Sequence, residues 1–192
     1  YPSYMMPYIN GETGLTDTDW QDAFYRTAQV QSYDLSVSGG NTKTRYFLSG
    51  NYLDQEGIIP NSGIQRGDVR LNLESQLSDR LRVSMNMNPS YLHNNLARSE
   101  KKRGNEGLVI GTLMQHPQLP VYNEAGSYAV DRLFEVMWNG ESNVVQFQNP
   151  LALANQVDNR MNQFRLIFNA NAEYDLTSKL TFKTTFGSDI NY

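Results

Sequence analysis

The sequence predicts an all-β chain of antiparallel, up-and-down strands with long loops at one rim, the wall of a transmembrane β-barrel. Three observations carry that prediction. Apolar and polar residues alternate strictly over repeated segments. The connectors between segments alternate between short and long, as in outer-membrane barrels. The segments run to about 10 residues or more, where roughly 9 to 11 tilted residues cross a bilayer and soluble strands more often have about 5 or 6.

Residues 1–30 read as a loop and lead-in, and residues 31–91 as four strands. In Gln31 to Ser38 the apolar phase is Tyr33, Leu35 and Val37; in Thr44 to Leu53 it is Tyr46, Leu48 and Tyr52. Val69, Leu71, Leu73 and Leu77 mark the third segment, and Leu81, Val83, Met85, Met87 and Tyr91 the fourth. Residues 92–160 form a very long loop. Two further strands fill 161–192, one with Phe164, Leu166, Phe168, Ala170, Ala172, Tyr174 and Leu176, the other with Leu180, Phe182 and Phe186. The turns "GGNTK", "LSDR" and "LTSK" are tight, whereas Asp54 to Gln65 and the 92–160 stretch are long. The hairpin "LNLESQLSDRLRVSM" (Leu71 to Met85) recurs in phase as "ANAEYDLTSKLTFKT" (Ala170 to Thr184). Tyr33, Tyr46, Tyr52, Tyr91 and Tyr174 lie near segment ends, where an aromatic girdle would meet the membrane interface; ordinary β-propensity of tyrosine explains them equally well. A soluble β-sandwich, such as a carbohydrate-binding module, shares the period of two and is the alternative.

Composition narrows the chemistry. A net charge of −4 argues against a nucleic-acid partner, which would call for a basic face. The nearest basic run, "RSEKKR" at Arg98 to Arg103, reads as a solvated loop. With no cysteine and two distant histidines, disulfides, thiolate chemistry and a zinc site are excluded. The longest apolar run, Leu108 to Met114, is far short of a membrane helix, so any contact with a membrane is made by strands. The chain begins at Tyr1 without a methionine and ends at Tyr192 inside an alternating pattern, and we expect a fragment of a longer protein.

The run "TDTDWQDAFYRTAQVQSYDLSVSGGNTKTRYFLSGNYLDQEGII", followed by "RGDVRLNLESQLSDRLRV", closely resembles SusC/RagA-type TonB-linked outer-membrane transporters of Bacteroidetes. "LPVYNEAGSY" and "NPLALANQVDNR" resemble the same family's long-loop segment. The resemblance implies a 22-stranded barrel occluded by an N-terminal plug that is absent from this chain, and such large barrels do have plugged lumens. It further implies a SusD-like surface lipoprotein as partner, energy from the TonB complex through the missing N-terminal part, contact with outer-membrane lipid, and an oligosaccharide or peptide ligand. The short turns would then be periplasmic, and Asp54–Gln65 and 92–160 extracellular.

Candidate sites are few. Asp54 and Glu56 share a strand face without a specified partner, and "DQEGII" lacks the ligand spacing of a calcium loop, so the pair reads as a strand end opening into a loop. "DTDW", Asp17 to Trp20, reads as a surface loop in preference to a calcium site. His93 and His116 have no catalytic partner at a diagnostic spacing. We therefore expect no enzyme activity, cofactor or metal. Within the long loop, "GNEGLVIGTLMQ" suits a short helix, and Tyr122, Asn123, Tyr128, Trp138 and Asn139 combine flat rings with amide donors suited to a sugar or peptide. Packing of the loop on itself, or against the capping lipoprotein, is the favoured reading of the same five residues.

Overall fold

In the computed structural model, residues 5–97, 107–129, 135–138, 141–144 and 149–192 are described, the two short segments 135–138 and 141–144 by their backbone. The elements in chain order are α1 (Met6–Ile9), α2 (Trp20–Phe24), β1 (Val30–Gly40), β2 (Thr44–Glu56), β3 (Gly63–Gln76), β4 (Leu81–Asn95), α3 (Leu108–Met114), β5 (Glu135–Trp138), β6 (Glu141–Val144), α4 (Pro150–Gln156), β7 (Arg160–Thr177) and β8 (Leu180–Asn191). They form two compact units. One comprises Tyr1–Thr27, Ile58–Ser62 and Ala97–Asn159; the other comprises Ala28–Gly57, Gly63–Leu96 and Arg160–Tyr192.

The second unit is a single six-stranded sheet in the order β1-β2-β3-β4-β7-β8, with every neighbour antiparallel. Alternation along each strand becomes rows across the sheet because the registers match. Val37, Leu48, Leu71, Met87 and Phe168 stand opposite one another in turn on the apolar face. Next along that face runs Gly39, Tyr46, Leu73, Met85, Ala170 and Phe186. A β-carbon on Gly39 would stand 2.7 Å from Tyr46 Oη, so any side chain there would have to push that ring aside.

Each short turn carries its own side-chain acceptor. Asn41 Oδ1 accepts from the N–H of Lys43 and of Thr44, both at 2.8 Å. Ser78 Oγ accepts from Arg80 N at 3.3 Å and Leu81 N at 3.1 Å, and Thr177 Oγ1 from Lys179 N at 3.2 Å. Ser78 and Thr177 occupy the same place in the two repeated hairpins, which gives the repeat a physical cause: a hydroxyl that closes the turn.

Pairing continues beyond the periodic segments. β2 and β3 remain paired through Asp54↔Gln65 and Glu56↔Gly63, and β4 and β7 through Asn95↔Arg160. The β2–β3 connector is thereby reduced to Gly57–Ser62. Pro89 lies inside β4, where it removes one ladder N–H. The β3–β4 pairing skips there and resumes at Leu71↔Met87, while β7 pairs across Pro89 at Leu166.

The first unit gathers short helices around a small core. Phe24, Ile59, Leu108, Leu151 and Ala154 are buried together, with Tyr25, Val121, Tyr128 and Leu153 packed against them. Trp20 and Leu119 form a second cluster. The helix expected in "GNEGLVIGTLMQ" is α3, whose buried side carries Leu108, Gly111 and Thr112. β5 and β6 pair as a hairpin from Glu135↔Val144 to Trp138↔Glu141.

Candidate functional site

Opposite the apolar face, the sheet presents a polar wall. One of its rows is Asp34, Asn51, Asp68, Ser90, Arg165 and Asn191; another is Asn72, Asn86, Asn169 and Gly187; a third is Gln76, Arg82, Glu173 and Lys183. Phe47 interrupts the polarity, standing opposite Asn72. Ion pairs cross the strands. Glu173 Oε1 lies 2.8 Å from Lys183 Nζ and its Oε2 lies 3.4 Å from Arg82 Nε, while Arg165 grips Asp189 with two bonds of 2.9 and 2.6 Å. Asn51 donates to Asp34, and Asn171 links Ser84 to Thr185. The wall holds a recess of about 420 Å³ lined by Lys43, Arg45, Glu74, Arg82, Glu173 and Lys183 among others. Such a wall offers many weak hydrogen bonds and balanced charge to a polar solute.

The loop residues singled out from the sequence fall into three groups. Tyr122, Asn123 and Tyr128 come together on one small hairpin. The rings of Tyr122 and Tyr128 stack at 5.2 Å and 28°, and Tyr128 also packs on the core cluster. Asn123 Oδ1 accepts from Ala125 N at 3.0 Å and Ser127 N at 2.9 Å, so half of its amide closes the turn in which Gly126 takes φ 77°. Trp138 is placed by its backbone, opposite Glu141 in the β5–β6 hairpin, and Asn139 lies outside the described residues. The basic run Arg98 to Arg103 also lies outside them.

The other candidates have structural employment. Asp19 of "DTDW" caps α2, its Oδ1 accepting from Gln21 N at 3.0 Å and Asp22 N at 3.1 Å, and Trp20 is buried with Nε1 donating to His116 O at 2.8 Å. Asp54 accepts from Gln65 Nε2 across the β2–β3 ladder. His93 Nδ1 meets Asn162 Oδ1 at 2.6 Å. Among the described residues no three His, Asp or Glu side chains gather where they could hold a metal ion.

Sequence reasoning passed over Asn149, which organises the loop unit. Its buried Oδ1 caps α4 through Leu151 N and Ala152 N, while its Nδ2 donates to Val121 O at 2.9 Å and Ala129 O at 3.2 Å. The available signal was Asn149-Pro150, an N-cap residue followed by proline at the first helical position.

No protein-family model matches the chain. Among curated proteins, the chain is 30% identical to a TonB-dependent receptor of Formosa agariphila over 193 aligned residues, spanning 97% of this chain and 18% of that receptor. A second receptor of that organism is 32% identical, with 97% and 17% covered. The TonB-dependent receptor SusC of Bacteroides thetaiotaomicron is 27% identical, with 86% and 17% covered. The chain thus spans less than a fifth of these relatives' lengths. Among solved structures, the RagAB peptide transporter superposes with a TM-score of 0.70 at 25% identity, over 91% of this chain and 19% of that one. The RagAB peptide importer in its open-open state gives a TM-score of 0.67 at 23% identity over 96% and 20%, a likeness of fold. The six antiparallel strands match part of the barrel of such receptors.

Proposed function

Because this chain belongs with the SusC/RagA-type TonB-dependent receptors, we propose that its sheet is part of the wall of an outer-membrane β-barrel that imports a bulky nutrient. The observation that carries the reading is the two-faced sheet. Its six strands run from 11 to 18 residues, enough to cross a bilayer when tilted. One face is apolar and open, with Leu35 81% and Phe186 63% exposed. The other is the polar wall, suited to a water-filled lumen. Among the described residues, β1 and β8 each pair on one side. Unpaired edges are not tolerated in lipid, so further strands are required to close the barrel.

On this reading the turns at Asn41, Ser78 and Thr177 are periplasmic, the connectors at Asp54–Gln65 and 92–160 are extracellular, and a SusD-like lipoprotein is the partner on that side. The energy comes from a TonB complex acting through a part of the protein outside this chain, and the cargo is an oligosaccharide or peptide. The exposed ring of Tyr122, backed by Tyr128, gives such a cargo a surface for stacking, with Asn123, Trp138 and Asn139 as the other candidate contacts. The protein acts as a transporter and not as an enzyme. The test is fractionation of the full-length parent. Recovery in outer membranes, extraction by detergent and heat-modifiable gel mobility are expected, whereas recovery in the soluble fraction would overturn the reading. The soluble β-sandwich module is the weaker alternative, because a sandwich would cover the face on which Leu35 is bare.

A further inference from the structure

The apolar face carries a row of aromatic residues near the rim where β2 meets β3 through the Gly57–Ser62 connector. Tyr33, Tyr52, Gly67, Tyr91 and Phe164 stand opposite one another in turn, and Phe164 exchanges both backbone hydrogen bonds with Tyr192. Gly67 is the one gap in that row. In the adjacent row Leu35 faces Gly50 and Gly50 faces Val69, so Gly50 makes a second gap diagonal to the first. The two gaps merge into an open hollow of about 710 Å³, with Val69 and Pro89 on its floor and Tyr33, Tyr52, Tyr91 and Phe164 around it.

Neither glycine is needed by the chain itself. A β-carbon at Gly67 would meet no atom within 4 Å, and one at Gly50 would come no closer than 4.0 Å, to Asp68 O; neither position has positive φ. Gly39 on the same face is different, because the Tyr46 ring lies over it. Glycine inside a strand weakens it and often marks the close approach of a ligand or another backbone. Asp34, Asn51, Asp68 and Ser90 border the hollow in the opposite phase of their strands, and among the described residues no cation stands around it, so an anionic group would find no partner there. The phenols are turned toward the rim: Tyr33 Oη donates to Gln31 Oε1 at 3.1 Å and Tyr91 Oη to Asn162 Oδ1 at 3.3 Å. The site is therefore hydrocarbon at its floor and hydrogen-bonding at its rim, which is the polarity of a lipid seen from the side.

We propose that the hollow at Gly50 and Gly67 seats one acyl chain of an outer-membrane lipid, with the headgroup at the level of the tyrosine hydroxyls. The proposal rests on the membrane reading above. A gap two residues wide suits a single polymethylene chain, whereas a specific protein interface buries roughly 800 Å² per partner.

The experiment uses the full-length parent reconstituted in phosphatidylethanolamine vesicles, where both leaflets carry a fraction of the lipid with a photoreactive acyl chain, and compares the wild type with the double variant Gly50→Val, Gly67→Leu. Crosslinks in the wild type should concentrate between Tyr52 and Val69. In the double variant they should fall by about tenfold, the loss expected from displacing roughly two methylene groups, while crosslinks near Phe186 stay constant. If the double variant fails to assemble, Gly50→Ala, Gly67→Ala places only β-carbons in open space and should show a smaller decrease at the same peptide. Uniform labelling of the face, or labelling unchanged by either variant, overturns the proposal. So does a wild-type dimer that either variant abolishes, which would make a second copy the occupant. If the parent is absent from the membrane fraction altogether, it is the membrane reading that fails.

Discussion

The buried apolar side chains found among the described residues, Trp20, Phe24, Ile59, Leu108, Leu119, Pro150, Leu151 and Ala154, all belong to the unit of helices and loops. The six-stranded sheet holds none of them, and its apolar residues are half-buried or exposed, Val37 and Phe186 among the exposed ones. The loop unit thus stabilises itself as a small globular protein does, by taking carbon out of water. The sheet is ordered by its ladders, its turns and its cross-strand ion pairs, and its apolar face stays exposed or half-buried among the described residues. Strand geometry and burial are separable: period-two alternation forms a sheet whatever later covers it, whereas the loop unit exists only because distant residues cover one another.

The sharpest way to break this contrast is to empty the core of one unit. Phe24 is 1% exposed, and Phe24→Ala should cost about 3 to 5 kcal/mol through lost contact and a residual cavity. In the full-length parent this should appear as rapid protease nicking within Ala97–Asn159, with heat-modifiable mobility retained. Loss of heat-modifiability as well would show that the two units do not differ in the way argued. A charge on the other unit's apolar face comes next. Leu48 lies mid-strand between Val37 and Leu71, and Leu48→Arg should cost about 2 to 4 kcal/mol if that face meets the bilayer midplane. Asn86→Arg, on the polar wall, should be nearly neutral. The readout is the fraction of parent assembled in outer membranes, and equal effects of the two arginines would remove the distinction between the faces.

The same contrast explains what was legible. All six strands could be read because alternation is local and survives without a partner. Their ends could not, because Gln55, Glu56, Asn94, Asn95 and Arg160 carry no apolar rhythm, yet their backbones still pair. The loop unit was nearly opaque. α2 has 5 residues and α3 and α4 have 7 each, too few to show a helical period, and the core joins Phe24, Ile59, Leu108 and Leu151 from four separate stretches. Tyr122 and Tyr128 were found as aromatic residues in a long loop, but their stacking on each other depends on a turn closed by Asn123. Asn149 was readable from its proline neighbour as a helix start, though not as the donor that ties Val121 and Ala129 together.

Asn149 gives a smaller and more local test. Asn149→Ala removes the α4 cap and both Nδ2 bonds, and caps of this kind are worth about 0.5 to 2 kcal/mol. Asn149→Asp keeps the acceptor for Leu151 N and Ala152 N and loses only the donations to Val121 O and Ala129 O. Hydrogen exchange of the α4 amides should therefore quicken in the alanine variant and much less in the aspartate variant. Equal quickening would mean that the link to Val121 and Ala129, and not the cap, holds the helix.

The smallest expected effect lies in the sheet's turns. Ser78 and Thr177 each supply one hydroxyl acceptor to a solvent-exposed turn, so Ser78→Ala or Thr177→Ala should cost about 1 kcal/mol or less. The repeat argument makes a stricter demand than the magnitude. If the two hydroxyls do the same work, the two variants should lower the refolding yield of the parent by similar amounts, and Ser78→Thr together with Thr177→Ser should restore it. Ser78 closes its turn with two bonds and Thr177 with one, so a modestly larger loss at Ser78 is expected. A loss at Thr177 alone would point instead to the strand irregularity between Asp175 and Thr177 as what fixes the second hairpin, and the shared hydroxyl would then be coincidence.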